Sequence, residues 1–138
     1  MIAVARELNP GITFHQGSLM SLDAADGAWG GIVAFYSIIH LTDDELPHAF
    51  AEFNRVLRPG GLILVAFHIG SETVHRDELW GERIDLDFRF FQPATIGRLL
   101  ETAGFTIEAK VERQPYSRVE FPSQRAYLLS RKPLPVLA

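Results

Sequence analysis

Tyr36-Ser37-Ile38-Ile39-His40 is the stretch in which an apolar run acquires groups able to do chemistry. Histidine is the side-chain type whose unperturbed pKa lies near neutral, which makes His40 the candidate general base, while capping the helix that follows, or filling space, is the competing use of the same side chain. His68 and His75 can be weighed as metal ligands, but their spacing matches no metal site and the sequence has no cysteine to complete one, so no metal is expected. Asp85 and Asp87 fall on the same side of an alternating segment and so resemble an acid pair for hydrolysis. Their alternation with Leu86 and Phe88 reads more simply as a solvated face. Trp80, Phe88, Phe90 and Phe91 are dense enough to line a pocket if their loop folds over a sheet edge, or else to fill a core. Arg55 and Arg58 close a helix, where the helix dipole favours cations without any ligand.

These groups need a scaffold, and its pivot is the passage from Phe53 through Arg58-Pro59-Gly60-Gly61 to Phe67. Leu46, Ala49, Phe50, Phe53, Val56 and Leu57 repeat at the three-and-four spacing of one apolar helix face. Pro59-Gly60-Gly61 reads as the stop of that helix, and Leu62–Phe67, apolar without a break, as a central parallel strand covered by helices on both sides. Ile32–Phe35 reads the same way. The 36–41 segment then lies at the carboxyl end of a strand, where ligands of open α/β sheets sit. Thr42-Asp43-Asp44-Glu45 matches a capping box, and Pro47 predicts a short first turn with the main helix restarting near it. Ile12–Gly17 alternates as a strand. Met1–Leu8 is two turns of helix stopped by Asn9-Pro10-Gly11 with no capping residue before it, so the sequence is expected to enter in the middle of an element.

Beyond the pivot, His68–Glu82 reads as a long irregular excursion and Ile84–Phe91 as an extended lid or edge strand. Pro93 opens a helix with Ile96, Leu99, Leu100 and Ala103 as its stripe and Gly104-Phe105 as its stop. Phe105–Val111 and Arg125–Ser130 are strands expected to pair antiparallel, and Pro133 and Pro135 mark a tail.

Composition narrows the function. A chain of 138 residues, 47% hydrophobic, suits a single domain spanning residues 1–138. A formal charge of -4 with scattered Arg and Lys argues against nucleic acid as partner. No apolar run approaches the roughly 18 residues of a membrane span, no signal peptide pattern opens the chain and no cysteine is present. A cytoplasmic protein without a membrane partner is expected.

Taken in order, several pieces resemble the class I S-adenosylmethionine-dependent methyltransferases of the type 11-like kind. They are Gly17 closing a strand, Trp29-Gly30-Gly31-Ile32-Val33-Ala34 opening another, Arg55-Val56-Leu57-Arg58-Pro59-Gly60-Gly61 before a buried strand, and Ala103-Gly104-Phe105 followed by Ala126-Tyr127-Leu128-Leu129. The resemblance covers nearly the whole chain. It implies an α/β fold with a Rossmann-like, doubly wound, mostly parallel sheet and an antiparallel C-terminal strand, with S-adenosylmethionine as cofactor and methyl transfer to a small-molecule substrate. It places adenine against Ser18, Leu19 and Met20, where the serine stands in for the usual Asp and bonds without charge assistance. It brings the cofactor's methionine end and the nucleophile together at Tyr36, Ser37 and His40, and leaves His68, Trp80, Phe88 and Phe90 to bind the acceptor. Methyl transfer needs mainly alignment, so a base is not obligatory.

Members of that family begin with a strand, a glycine-rich loop, a helix and a second strand ending in an acid. None of these is found in this sequence, and Gly30-Gly31 and Gly60-Gly61 lie where they cannot substitute. The fold is therefore expected to be N-terminally incomplete, the cofactor to bind weakly, and the uncovered sheet flank to pair two copies as a homodimer. A non-catalytic module acting through self-association or partner binding is the alternative. A dinucleotide oxidoreductase trails both, because it needs the same glycine loop.

Overall fold

The computed structural model describes residues 1–137. A short N-terminal helix, α1 (Ile2–Leu8), buries no residue. The first strand, β1 (Trp29–Phe35), runs into a single 3-10 turn at Ile38–His40 and then into the capping box. The box forms with both its bonds: the Thr42 N–H donates to Glu45 Oε2 at 2.8 Å, and the Glu45 N–H to Thr42 Oγ1 at 3.3 Å. Helix α2 (Glu45–Val56) starts there and runs unbroken. Pro47 does not interrupt it, because it occupies the first turn, whose N–H groups have no intrahelical partner in any case. Leu46, Ala49, Phe50, Phe53 and Val56 are at most 1% exposed, as their spacing predicts.

The end of α2 differs from the sequence reading. Leu57 is already extended, with ψ 133°, and opens β2 (Leu57–His68). Pairing with β1 jumps from Trp29–Leu57 to Gly31–Leu62, so Arg58–Gly61 is an outward bulge of the strand. Gly60 has φ +81°, and a Cβ on Gly61 would come within 2.9 Å of the Arg58 carbonyl and 3.1 Å of the Gly30 carbonyl. Those two glycines shape a strand, where the sequence pattern suggested only a helix stop.

Two more strands complete the main sheet: β5 (Thr106–Arg113) and β6 (Arg125–Arg131), reached through α3 (Pro93–Thr102). The order is β1-β2-β6-β5, with β1 parallel to β2 and β6 antiparallel to both its neighbours. Three of the four strands thus run one way and the C-terminal strand runs against them. Ile63, Val65 and Phe67 of β2 join Phe50 and Phe53 of α2 and Ile96 and Leu100 of α3 in one core cluster.

Among the described residues β1 pairs only with β2, so the run expected at the centre of the sheet lies at its edge. Val33 is 67% and Phe35 51% exposed. Ile12–Gly17 forms no strand, because no neighbouring strand lies beside it to accept a ladder. Instead Arg6 Nη2 donates to the Phe14 carbonyl at 2.8 Å.

The stretch read as an irregular excursion contains β3 (Thr73–Leu79), which pairs antiparallel with β4 (Glu82–Arg89). Trp80 and Gly81 connect them with φ +52° and +81°, the successive positive angles of a two-residue hairpin turn. Residues 84–89 of the segment read as a lid or edge strand are therefore part of one arm of a hairpin. Phe91, beyond its end, is 5% exposed and meets Phe67 edge-on at 6.0 Å, so it belongs to the core rather than to a pocket.

Candidate functional site

Tyr36 and His68 stand at the carboxyl ends of the two parallel strands β1 and β2 and face each other, ring centroids 4.9 Å apart. Tyr36 has φ +49°, a strained angle for a non-glycine residue, and its N–H donates to the Ala66 carbonyl at 3.0 Å. That turn carries its ring across β2, where its hydroxyl meets Tyr127 Oη at 3.1 Å. Arg113 Nη2 donates to the same Tyr127 oxygen at 2.9 Å and pairs with Glu120, which also pairs with the buried Arg125. Burial, and then the Tyr127 hydrogen bond, push the Tyr36 phenol up to about 12. It therefore serves as a neutral hydrogen-bonding group and not as a base.

His68 is held from the other side by Ser123, Nδ1 lying 2.7 Å from its Oγ. Burial lowers its pKa and the positive charge of Arg125 lowers it further, so the ring is neutral near pH 7. It stacks on Phe90 at 5.2 Å, with Phe121 edge-on to it at 5.9 Å. Together with Phe88 and Trp80 these rings line a cavity of about 300 Å³ beneath the hairpin. All four residues expected to bind the acceptor, His68, Trp80, Phe88 and Phe90, line this one cavity. Phe121 and Ser123 escaped the sequence reading, since they come from the loop before β6, which has no periodic pattern.

His40 sits next to the hairpin. Its Nδ1 is 2.9 Å from the Asp87 carbonyl, which can only accept, so Nδ1 carries the proton and Nε2 keeps the free lone pair in the neutral ring. Its ring meets Phe88 edge-on at 4.9 Å. His75, by contrast, bonds Asp87 Oδ1 at 2.8 Å on the exposed outer side of the hairpin. Among the described residues no cluster of three or more histidine or acidic side chains is placed to hold a metal.

A second cavity, of about 380 Å³, lies against β1 and is lined by residues that include Leu19, Ile32, Phe35 and Ser37. Ser37 Oγ is buried without a hydrogen-bond partner among the described residues. Ser18 Oγ accepts the Met20 N–H at 3.1 Å, which leaves a lone pair and the hydroxyl proton for a ligand. Leu19 and Met20 pack against the core. Leu19 and Ser37 thus share one cavity, Ser18 and Met20 flank Leu19 in the chain, and Tyr36 lines neither cavity, its ring facing His68.

The loop after Met20 is pinned by Arg55, which sequence reasoning assigned to the helix dipole, together with Glu52. Arg55 donates to the carbonyls of Leu22 and Ala24 at 3.0 and 2.8 Å, to Asp26 at 2.8 Å, and through two nitrogens to Glu52. Glu52 in turn accepts the Leu22 N–H at 2.8 Å. The Arg55 hydrogen bonds and then the Leu22 N–H hold the Glu52 carboxyl down at about 2.

Residues 1–61 match the model of a methyltransferase domain family. A probable S-adenosylmethionine-dependent methyltransferase of Mycolicibacterium smegmatis is 32% identical over 117 residues, covering 78% of this chain and 40% of the relative. The chain spans about two fifths of the length of such curated relatives. Among solved structures, an S-adenosylmethionine-dependent methyltransferase from Methanosarcina mazei superposes with a TM-score of 0.79 at 15% identity, over 97% of this chain and 78% of the other. The Burkholderia thailandensis 1,6-didemethyltoxoflavin-N1-methyltransferase, solved with 1,6-didemethyltoxoflavin and S-adenosylhomocysteine, gives 0.70 at 17% identity, over 95% and 55%. At these identities the structures establish the fold.

Proposed function

We infer that the chain belongs to the class I S-adenosylmethionine-dependent methyltransferases, and we propose that residues 1–138 act as one cytoplasmic domain in methyl transfer to a small molecule held under the β3–β4 hairpin. The observation that carries this reading is the convergence of His68, Trp80, Phe88 and Phe90 on one cavity at the carboxyl ends of β1 and β2. S-adenosylmethionine, when bound, supplies an electrophilic methyl group. The buried, unpartnered Ser37 hydroxyl and the apolar Leu19 wall fit such a ligand on the β1 side, one as hydrogen-bonding group and the other as a face for adenine. Ser18 offers its remaining lone pair to the adenine amino group. The aromatic cavity orients the acceptor and excludes water, and His40 Nε2 takes the proton that the acceptor releases.

The test is label transfer from methyl-labelled S-adenosylmethionine at millimolar concentration to pooled small neutral acceptors. Label is expected in a low-mass product and lost in Phe90→Ala, with His40→Ala slowed rather than silenced. No transfer in the wild type, at a cofactor concentration shown by titration to saturate, contradicts the reading.

A second reading rests on the edge position of β1, with Trp29, Val33 and Phe35 exposed. In it the chain is a non-catalytic module, and this flank pairs with a second copy to form a homodimer.

A further inference from the structure

The geometry points to an uncharged, planar aromatic or heteroaromatic compound as the molecule that the hairpin cavity takes; the inference rests on the reading of that cavity as the acceptor site. The walls supply the first argument. His68 and Phe90 are stacked at an interplanar angle of 28°, and Phe121 stands edge-on to both, at 62° and 80°. Aromatic rings prefer offset stacking and edge-to-face contact with other aromatic rings, because the negative face of one meets the positive edge of another. A flat guest can extend the stack or meet Phe121. A saturated molecule of equal size gains only the area term.

Charge supplies the second argument. The ionic groups lining the cavity are Arg76 and Glu78, both on β3 and of opposite sign. His68 is neutral, and its Nε2 has no hydrogen-bond partner among the described residues, so the neutral polar side-chain groups of the wall are this nitrogen and the Trp80 indole N–H. An anionic or cationic guest finds no unbalanced countercharge to offset its lost hydration. Size supplies the third. About 300 Å³ is at the small end of ligand cavities and suits roughly one or two fused rings.

Calorimetric titration of the full chain without cofactor tests this with three probes on one carbon skeleton: naphthol, its saturated analogue decalol, and the anion naphthoate. Naphthol is expected to bind about ten-fold or more tightly than either of the others, since two favourable ring contacts together account for roughly that factor. The preference over decalol should shrink several-fold in both Phe90→Leu and Phe121→Leu, two variants that keep volume and apolarity, and the variants' melting curves show that they remain folded. Decalol or naphthoate binding as tightly as naphthol, a preference that both Leu variants leave unchanged, or no naphthol binding up to millimolar concentration overturns the inference. Because no cofactor is present, its failure is distinct from failure of methyl transfer: aromatic selectivity without label transfer removes the enzymatic reading, and label transfer without aromatic selectivity removes this one.

Discussion

Arg55 ties α2 to the loop of residues 22–26 through one guanidinium, and its planar fork explains why that loop, with no regular structure, has a fixed course. Arg55→Ala leaves two carbonyls and the Glu52 carboxylate short of donors and should lower the midpoint of urea denaturation, with Arg55→Lys recovering little because an ammonium cannot reproduce the fork. The sign with pH follows from Glu52. Its folded value, about 2, lies below the ordinary 4.5, so the unfolded chain binds the proton first. The stabilisation is complete above pH 4.5 and is lost as pH falls toward 2; Glu52→Gln should flatten that limb of the stability profile. Ser37→Ala behaves oppositely. Its hydroxyl has no partner, so melting should stay level or rise while S-adenosylhomocysteine binding weakens; a clear drop in melting temperature would make Ser37 a structural residue instead. The Arg55 contacts to residues 22–26 were not legible in the sequence, since they span some thirty residues and a helix-end arginine already had a sufficient cause; its pairing with Glu52 is a local i, i+3 contact. The aromatic cavity was legible in part, because Trp80, Phe88 and Phe90 are dense in a stretch following a strand end.

At the scale of elements, the hairpin hangs on few contacts. Arg89 donates to the Leu41 carbonyl and pairs with Asp43, the His40 ring meets the Asp87 carbonyl, and a bridge joins Ile69 to Phe91. Arg89→Ala should therefore loosen β3–β4 without unfolding the core. Trypsin is expected to cut faster after Arg76 or Arg83 while global melting falls by no more than about 1 kcal/mol. Equal cutting rates in the two proteins would show that the hairpin is held by its own strand pairing and packing. Helix α2 and the β5–β6 pair were legible because their apolar spacing, capping box and alternation agree with one another. Ile12–Gly17 was misread because alternation is only half of a strand, and the other half is a neighbour to bond. The two-residue turn at Trp80-Gly81 was the signal that should have revealed β3, but charged residues on both sides masked the hairpin pattern.

For the whole molecule, the apolar composition of β1 and its position at the sheet edge conflict, and pairing two copies along it would resolve the conflict. Covering Trp29, Val33 and Phe35 is worth roughly 1 to 3 kcal/mol each. Light scattering should give a mass that rises with concentration toward a dimer, and Val33→Lys should return a folded monomer whose melting no longer depends on concentration; a wild-type monomer at every concentration rejects self-association. We propose that Ser18, Leu19, Met20, Tyr36 and Ser37 form the adenine side and the reaction edge of a cofactor site, to which the 138 residues add no glycine-rich loop to hold the amino-acid end. Lost charge-assisted contacts, at roughly 1.5 to 3 kcal/mol each, then weaken binding by orders of magnitude without abolishing it. The most direct measurement is amide chemical-shift mapping as S-adenosylhomocysteine is added to the isotope-labelled chain. Fast-exchange shifts are expected at Ser18, Leu19, Met20, Tyr36 and Ser37, saturating only toward millimolar ligand, with β5 unaffected. Micromolar saturation, or shifts centred away from both stretches, would contradict it.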